Sequence, residues 1–151
     1  MERTKAQQEI YDSIPHRPPF LFIDEMVEVG EESASARRTV QATEPYFEGH
    51  YPGNPIMPGV LLCEAVFQTA AVYMSQRLKK EGGGMSEKVP LLSRIQEAKF
   101  KNMVTPRDVL DIEVKMKESV SRFHFMRGTI KKEGKLVLSV EFALVLADKT
   151  A

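Results

Sequence analysis

Apolar and charged positions alternate through much of the second half of the chain. In LDIEVKMKES, Ile112, Val114 and Met116 alternate with acidic and basic residues, which is the period of a half-buried β-strand. Two further apolar segments, RFHFMRGTI and KLVLSVEFALVLA, flank residues 131–134, KKEG, which have the composition of a hairpin turn. One face of the last strand carries Leu136, Leu138, Val140, Phe142, Leu144 and Leu146. The pattern predicts that the second half consists mainly of strands.

The first half contains weaker strand signals and one short helix. Residues 20–29, FLFIDEMVEV, predict a strand, and SASARRTVQA predicts a second, more exposed one. Residues 5–12 predict a helix that ends near Ile14, because a residue that precedes a proline avoids the helical conformation. The glycines of EGGG, residues 81–84, separate the two halves.

One long segment, from Gly59 to about residue 79, predicts a helix that is apolar nearly all round. Such a helix must be enclosed on most sides, and only strands are available to enclose it. We therefore expect an α+β protein in which a curved antiparallel β-sheet wraps around one long central α-helix.

Composition supports one domain over residues 1–151 and excludes several functions. The 151 residues are 42% hydrophobic and 28% charged, with a formal net charge of +0, so the overall charge does not indicate a nucleic-acid partner. The single cysteine, Cys63, cannot form an internal disulfide, which suits a reducing compartment. The N-terminus lacks the apolar core of a signal peptide, and no apolar run is long enough for a membrane span. We expect a cytoplasmic protein without a metal site, since one cysteine and three scattered histidines offer no ligand spacing.

The segment GHYPGNPIMPGVLLCEAVFQ, Gly49 to Gln68, carries the candidate chemistry. Glu64 and Gln68 interrupt the apolar helix and lie on one face of it, because they are four residues apart. A carboxyl group in such surroundings should have a raised pKa and could act as a general acid. The alternative is a structural Glu64 that is satisfied by a hydrogen bond from Gln68 or from the backbone.

The loop before this helix holds His50 among prolines and glycines that restrict its position. The helix then begins at Gly59, where free backbone N–H groups could stabilise a developing oxyanion. A base, an acid and an oxyanion site indicate removal of a proton beside a carbonyl, coupled to loss of water. We expect the other two histidines, His16 and His124, to be structural.

Three segments resemble one enzyme family. GHYPGNPIMPGVLLCEA resembles the active-site segment of the β-hydroxyacyl-acyl carrier protein dehydratases of the FabZ type, in type II fatty acid synthesis. IPHRPPFLFIDEMVEV and EAKFKNMVTPRDVLDIEV resemble two further segments of that family, in the same order. The resemblance extends from about Ile14 to Leu146. It implies a hot-dog fold and a homodimer with two active sites at its interface, commonly assembled into a hexamer as a trimer of dimers.

The resemblance also implies roles for individual residues and requires no cofactor. His50 would be the base and Glu64 the acid, one from each subunit, in the dehydration of (3R)-3-hydroxyacyl-acyl carrier protein to the trans-2-enoyl product. The backbone N–H of Gly59 would polarise the thioester carbonyl, the carbonyl of Ile56 would orient His50, and Gln68 would hold Glu64. The related FabA type, which also isomerises its product, has Asp at the position of Glu64, so Glu64 favours dehydration alone.

The chain departs from the family pattern at three places. Arg107 replaces the glycine of a PGD turn, so that turn need not keep its usual conformation. A family proline is absent near Asn102 and Met103, and the linker 81–88 is unusual. We expect these departures to affect the substrate or the oligomer more than the chemistry.

Substrate contacts are predicted from residue type. An acyl tunnel would run beside the helix, and its candidate residues are Ile56, Met57, Val60, Phe67 and Leu91. Acyl carrier protein is acidic, so we expect it to dock on basic residues, for which the candidates are Arg94, Lys99, Lys101 and Arg107. Core packing and a solvated charged surface are the competing interpretations.

Three other functions stay open. They are a hot-dog acyl thioesterase, a dehydratase of polyketide or specialised lipid synthesis, and a non-catalytic homologue that binds acyl carrier protein.

Overall fold

The computed structural model describes residues 2–82 and 88–148, which form two α-helices and six β-strands. The helices are α1 (Lys5–Ser13) and α2 (Gly59–Lys80). The strands are β1 (Glu25–Val29), β2 (Ser33–Thr39), β3 (Lys88–Phe100), β4 (Val109–Val120), β5 (Phe123–Lys132) and β6 (Lys135–Asp148). A short 3₁₀ turn, Pro45–Phe47, lies between β2 and α2. No helix among the described residues is long and apolar enough to cross a membrane.

The strands form one antiparallel sheet in the order β1-β2-β4-β5-β6-β3. The predicted hairpin between β5 and β6 is confirmed: Glu133 and Gly134 have φ angles of 48° and 78°, as a two-residue type I′ turn requires. At one edge of the sheet, β3 pairs only with β6 within the described residues. The outer side of β3 therefore has no strand partner within the protomer.

Helix α2 forms the centre of the molecule, as its apolar sequence predicted. It contacts β2, β3, β4, β5 and β6, and an unbroken run of its residues, Ala65 to Ser75, is buried. The inward side chains of the last strand include Leu138, Val140, Phe142 and Leu144, each at most 2% exposed. The predicted α+β architecture, a sheet around one long helix, is confirmed.

The sheet approaches α2 closely at Gly128 of β5. A Cβ atom built on Gly128 would lie 2.2 Å from Cγ1 of Val66. Carbon atoms in contact are normally about 3.5–4.0 Å apart, so the side chain of Val66 leaves no room for a side chain at position 128. Gly128 therefore allows the helix to lie deep in the sheet.

The strand predicted over residues 20–29 was too long, because only Glu25–Val29 is a strand. Two of the preceding residues bond to a side chain instead of a neighbouring strand. The N–H of Phe22 donates to Oε1 of Gln68 at 2.8 Å, and the carbonyl of Phe20 accepts from Nε2 of Gln68 at 3.1 Å. Phe20 and Phe22 are therefore tied to α2 and not to the sheet.

The prediction for helix α1 is confirmed, and the turn at Arg107 shows how an arginine fits the PGD-like segment. Helix α1 begins with a capping box between Thr4 and Gln7, and it ends at Ile14 as predicted. At the PGD-like turn, Arg107 has a φ angle of 76°, a conformation that favours glycine, and its N–H donates to the carbonyl of Val40 at 2.8 Å. The turn therefore has a left-handed residue at this position, and that residue is an arginine. The unusual linker, residues 81–88, lies mostly outside the described residues.

Candidate active site

The loop before α2 positions the ring of His50. Its backbone N–H donates to the carbonyl of Tyr46 at 3.1 Å, and Nδ1 lies 2.8 Å from the carbonyl oxygen of Ile56. A carbonyl oxygen can only accept a hydrogen bond, so Nδ1 carries the proton in this contact. Nε2 is then unprotonated in the neutral ring and can accept a proton from elsewhere.

The N-terminus of α2 offers free donors close to this loop. Pro58 accepts backbone bonds from Leu61 and Leu62, while the N–H groups of Gly59 and Val60 make no hydrogen bond within the described residues. Such unpaired N–H groups carry the positive end of the helix dipole. A Cβ atom on Gly59 would lie 2.9 Å from Cε1 of the Phe100 ring, so glycine is required where that ring packs. Gly59, the expected oxyanion donor, therefore has an unpaired N–H group and no side chain that could block access to it.

One turn further along α2, Gln68 fixes the carboxyl group of Glu64. Gln68 is only 1% exposed, and its amide is fully used. Besides the two bonds to the segment before β1, its Nε2 donates to Oε2 of Glu64 at 3.0 Å. Because these bonds hold the amide from both sides, the Glu64 carboxyl is oriented by the segment at Phe20 and Phe22 as well as by its own helix.

The carboxyl group of Glu64 is partly buried in the protomer, with 21% of its side chain exposed. The prediction of a buried glutamate is thus met only in part, since one side of the carboxyl remains open. Burial raises the pKa of Glu64 above the ordinary value, and the hydrogen bond from Gln68 opposes that rise. A larger fraction of Glu64 is therefore protonated near neutral pH than of an exposed glutamate.

His16, which we expected to be structural, lies beside this carboxyl. Its Nε2 is 3.7 Å from Oε2 of Glu64, and its Nδ1 is buried without a hydrogen-bond partner in the described part of the chain. Burial, and then the charge of Arg17, lower the pKa of His16. Sequence reasoning missed this contact because 48 residues separate the two side chains; the only signal was the position of PHRPPF in a family segment. His124 instead bonds through Nδ1 to the hydroxyl of Ser119 at 2.8 Å, away from the site.

A cavity of about 270 Å³ opens beside Glu64. His16, Glu64 and Gln68 form its polar end, and the remaining wall is apolar and includes Phe67 and Leu91 of the predicted tunnel. Larger cavities occur elsewhere, for instance one of about 510 Å³ beside Arg77, but neither His50 nor Glu64 lines it.

The other three predicted tunnel residues do not line that cavity. Met57 is buried in the core at 3% exposure, Val60 is 75% exposed, and Ile56 contacts His50. The four predicted docking residues, Arg94, Lys99, Lys101 and Arg107, are all exposed. One of them, Lys99, is paired with Glu97, with Nζ and Oε1 3.1 Å apart.

Within one protomer, the two predicted catalytic side chains do not meet. No contact within 4 Å joins His50 to Glu64 in residues 2–82 and 88–148, and His50 does not line the cavity beside Glu64. Each lies at an open surface of the protomer.

Comparisons with known proteins identify the family and agree with the fold. Residues 14–141 match the model of the FabA-like domain. The chain is 36% identical to the 3-hydroxyacyl-[acyl-carrier-protein] dehydratase FabZ of Anaeromyxobacter dehalogenans (strain 2CP-C), over 93% of this chain and 89% of the relative. It is 38% identical to the FabZ of Caulobacter vibrioides (strain NA1000 / CB15N), over 93% of this chain and 87% of the relative.

In fold, the chain is similar to a structure described as the dehydratase heterocomplex ApeI:P from Xenorhabdus doucetiae. The TM-score is 0.79 at 17% identity, covering 93% of this chain and 91% of that one. The extent of these matches places the protein in a family: the chain belongs to the FabA-like family and, within it, to the FabZ type.

Proposed function

We propose that this protein dehydrates (3R)-3-hydroxyacyl-acyl carrier protein to the trans-2-enoyl product, the type of reaction for which its FabZ relatives are named. The observation that carries the proposal is the Glu64 carboxyl, whose pKa is raised by burial and whose position is set by the amide of Gln68. A carboxyl group with a raised pKa at the edge of an apolar cavity is suited to protonate a leaving hydroxyl group.

In this mechanism, Nε2 of His50 removes the proton from C2 of the acyl chain. The electrons of that C–H bond form an enolate, whose oxygen accepts hydrogen bonds from the free N–H groups at Gly59 and Val60. Breaking the C3–O bond then yields the C2=C3 double bond, and Glu64 gives its proton to the departing hydroxyl, which leaves as water. The carbonyl of Ile56, 2.8 Å from Nδ1, stabilises the imidazolium that forms.

The proposed site is shared between two copies of the chain. The support is the separation of His50 from Glu64 in the protomer and the exposed apolar side chains of the edge strand β3. Leu91, Leu92, Ile95 and Phe100 are each 44–51% exposed, on a strand of 13 residues whose outer side has no partner in the described protomer. A long apolar edge of this kind favours pairing with another chain.

Further parts of the proposal follow from the family. The acyl chain is delivered by acyl carrier protein, which docks on Arg94, Lys99, Lys101 and Arg107, and the dimers assemble into a hexamer. Sedimentation at several protein concentrations distinguishes a dimer from a hexamer. Residues 1–151 act as one domain in the cytoplasm, where the buried thiol of Cys63 would stay reduced.

The first experiment measures hydration of crotonyl thioester, which is the reverse reaction, together with release of free thiol. We expect hydration by the wild type, and a loss of about 10²-fold or more for His50→Ala and for Glu64→Gln, because each variant removes a proton-transfer group. His124→Ala is the matched control and should keep its activity. Thiol release without hydration would instead identify a thioesterase, and undiminished hydration by His50→Ala would refute the assignment.

The second experiment tests whether the site is shared. A dimer that pairs one His50→Ala chain with one Glu64→Gln chain has one site with both changes and one intact site. Refolding the two inactive variants together at equal amounts should therefore restore about one quarter of the wild-type sites. Recovery close to zero, in dimers shown to have exchanged subunits, would place both groups in the same chain.

A further inference from the structure

The imidazole of His16 lies beside the candidate acid without a part in the mechanism above, and the role inferred for it rests on the proposed function. Among the described residues, His16 and Glu64 are the only titratable side chains that line the cavity of about 270 Å³. The walls that β3 and β6 contribute are apolar. His16 is therefore the one group, besides the amide of Gln68, that can act on the Glu64 carboxyl from within this cavity.

The two carboxyl oxygens of Glu64 have different surroundings. Oε2 accepts the hydrogen bond from Nε2 of Gln68 at 3.0 Å and lies 3.7 Å from Nε2 of His16. Oε1 makes no hydrogen bond to any of residues 2–82 or 88–148. In a neutral carboxyl group one oxygen donates and the other keeps its full capacity to accept. Because Oε2 accepts, Oε1 is the oxygen that carries the proton and can give it away.

The ring of His16 is placed to donate to Oε2 of Glu64. Burial, and then the charge of Arg17, lower the pKa of His16, so at pH 7 the ring is neutral and one nitrogen carries a proton. An acceptor lies beside Nε2, whereas the buried Nδ1 has no partner in the described part of the chain, so Nε2 carries that proton.

The distance between these two atoms suits a contact that strengthens during the reaction. At 3.7 Å, Nε2 and Oε2 are about 0.5 Å beyond the usual limit of a hydrogen bond. When Glu64 loses its proton it becomes negative, and hydrogen bonds to charged groups are shorter and stronger than those to neutral ones. The donor is therefore drawn to the carboxyl group as the negative charge develops.

The backbone that carries His16 is held by the arginine that follows it. Nη1 of Arg17 donates to the carbonyls of Ile14 at 2.8 Å and of His16 at 2.6 Å. The N–H of Phe20 donates to the carbonyl of Arg17 at 2.8 Å, and the carbonyl of Phe20 accepts from Gln68. One segment thus sets the positions of both polar neighbours of the carboxyl group.

We propose that His16 is a positioning residue for the acid of the reaction. Together with Gln68 it holds Oε2 of Glu64, so that Oε1 presents the proton to the substrate. As the C3–O bond breaks, this proton passes to the hydroxyl oxygen, and the electron pair of the O–H bond stays on Glu64. The Nε2–H of His16 stabilises the carboxylate that forms, while His16 itself neither gives nor takes a proton.

The test measures kcat and KM for the dehydration of a 3-hydroxybutyryl thioester, followed by the absorbance of the enoyl product. His16→Leu removes the donor and keeps an apolar side chain in its place. We expect kcat to fall by about 10- to 100-fold, the range for a hydrogen bond to a charged group. KM should change by less than about 2-fold, because the lost interaction forms only as the proton leaves.

Two amide variants test whether the N–H at the position of Nε2 is what matters. Glutamine carries its amide N–H at the same bond distance from Cα as Nε2 of histidine, whereas asparagine carries it at the distance of Nδ1. His16→Gln should therefore recover most of the kcat that His16→Leu loses, and His16→Asn should not. His124→Leu is the matched control, since His124 bonds to Ser119 away from the site, and it should keep its kcat.

A double variant shows whether His16 acts through the acid. Glu64→Gln has no acid proton to give, so adding His16→Leu to it should lower kcat by less than about 2-fold more. A residue that only supports the fold would cost the same in both backgrounds, and that result would overturn the proposal.

The wild type separates this inference from the proposed function. Wild-type protein that fails to dehydrate the 3-hydroxybutyryl thioester would refute the proposed function. If the wild type is active, the role of His16 is overturned when His16→Leu keeps its kcat, or when Gln and Asn replace His16 equally well.

Discussion

Replacing Gly128 by alanine tests how closely the sheet must approach α2. The new Cβ would lie 2.2 Å from Cγ1 of Val66, about 1.3–1.8 Å closer than carbon atoms in contact normally are. Val66 is fully buried, and as a β-branched residue in a helix it has one strongly preferred rotamer, so it cannot move aside cheaply. Overpacking of this kind costs about 1–3 kcal/mol. The loss of a flexible glycine from the unfolded chain returns about 0.4–1 kcal/mol. We expect Gly128→Ala to lower the free energy of unfolding by about 1–2 kcal/mol.

The measurement is equilibrium unfolding in urea, with all variants at one protein concentration because dimerisation makes stability depend on it. Val66→Ala removes both methyl groups, including the Cγ1 that would clash, and costs about 1.6 kcal/mol by itself, at about 0.8 kcal/mol for each buried carbon. In the double variant, Cβ of residue 128 occupies the space that Cγ1 of Val66 left. The two costs should therefore fall short of their sum by about 1–2 kcal/mol.

Gly30→Ala is the control for the general effect of replacing a glycine. A Cβ there would meet only ordinary contacts, the nearest 3.5 Å away at the carbonyl of Ser33. That variant should be neutral or slightly stabilising. A Gly128→Ala protein as stable as Gly30→Ala, or strictly additive costs in the double variant, would show that the close approach does not constrain the packing.

Three further predictions concern the site and a turn. Gln68→Leu leaves the N–H of Phe22, a residue only 2% exposed, without an acceptor, so we expect a loss of about 1–3 kcal/mol in urea unfolding; no loss would mean that water replaces the amide. Because burial raises the pKa of Glu64, the folded protein binds this proton more tightly than the unfolded one, and stability falls as pH rises from the ordinary pKa of glutamate through the raised value. The free energy of unfolding of Glu64→Gln, minus that of the wild type, should therefore increase over that pH range. A difference that does not change with pH would contradict the raised pKa of Glu64. Arg107→Gly relieves a positive φ angle of 76°, which costs about 1–2 kcal/mol, against about 0.4–1 kcal/mol for the greater freedom of unfolded glycine. We expect a higher midpoint of thermal unfolding by a few degrees, and an unchanged or lower midpoint would show that the arginine is not strained.

Features that depend on neighbouring residues could be predicted from the sequence. The helix Gly59–Lys80, the strands of the second half and the hairpin at Glu133–Gly134 follow from periodicity and turn chemistry, which act within a few residues. The contact of His50 with the carbonyl of Ile56 spans six residues of a loop rich in proline and glycine, and the family resemblance anticipated it. The strand expected at residues 20–29 failed in its first half for the opposite reason, since a side chain 46 residues away takes the N–H of Phe22.

The tertiary structure alone decided what surrounds Glu64. The sequence determined that an acid, a base and a free helix N-terminus would be present, because these are properties of residue types and of one helix start. Packing of α2 against the segment before β1 brought His16 and the fully bonded amide of Gln68 to the carboxyl, and in the described residues no contact joins His50 to it. Distances between remote segments depend on how the helix sits in the sheet, which no local pattern specifies. The same packing formed the largely apolar cavity beside Glu64.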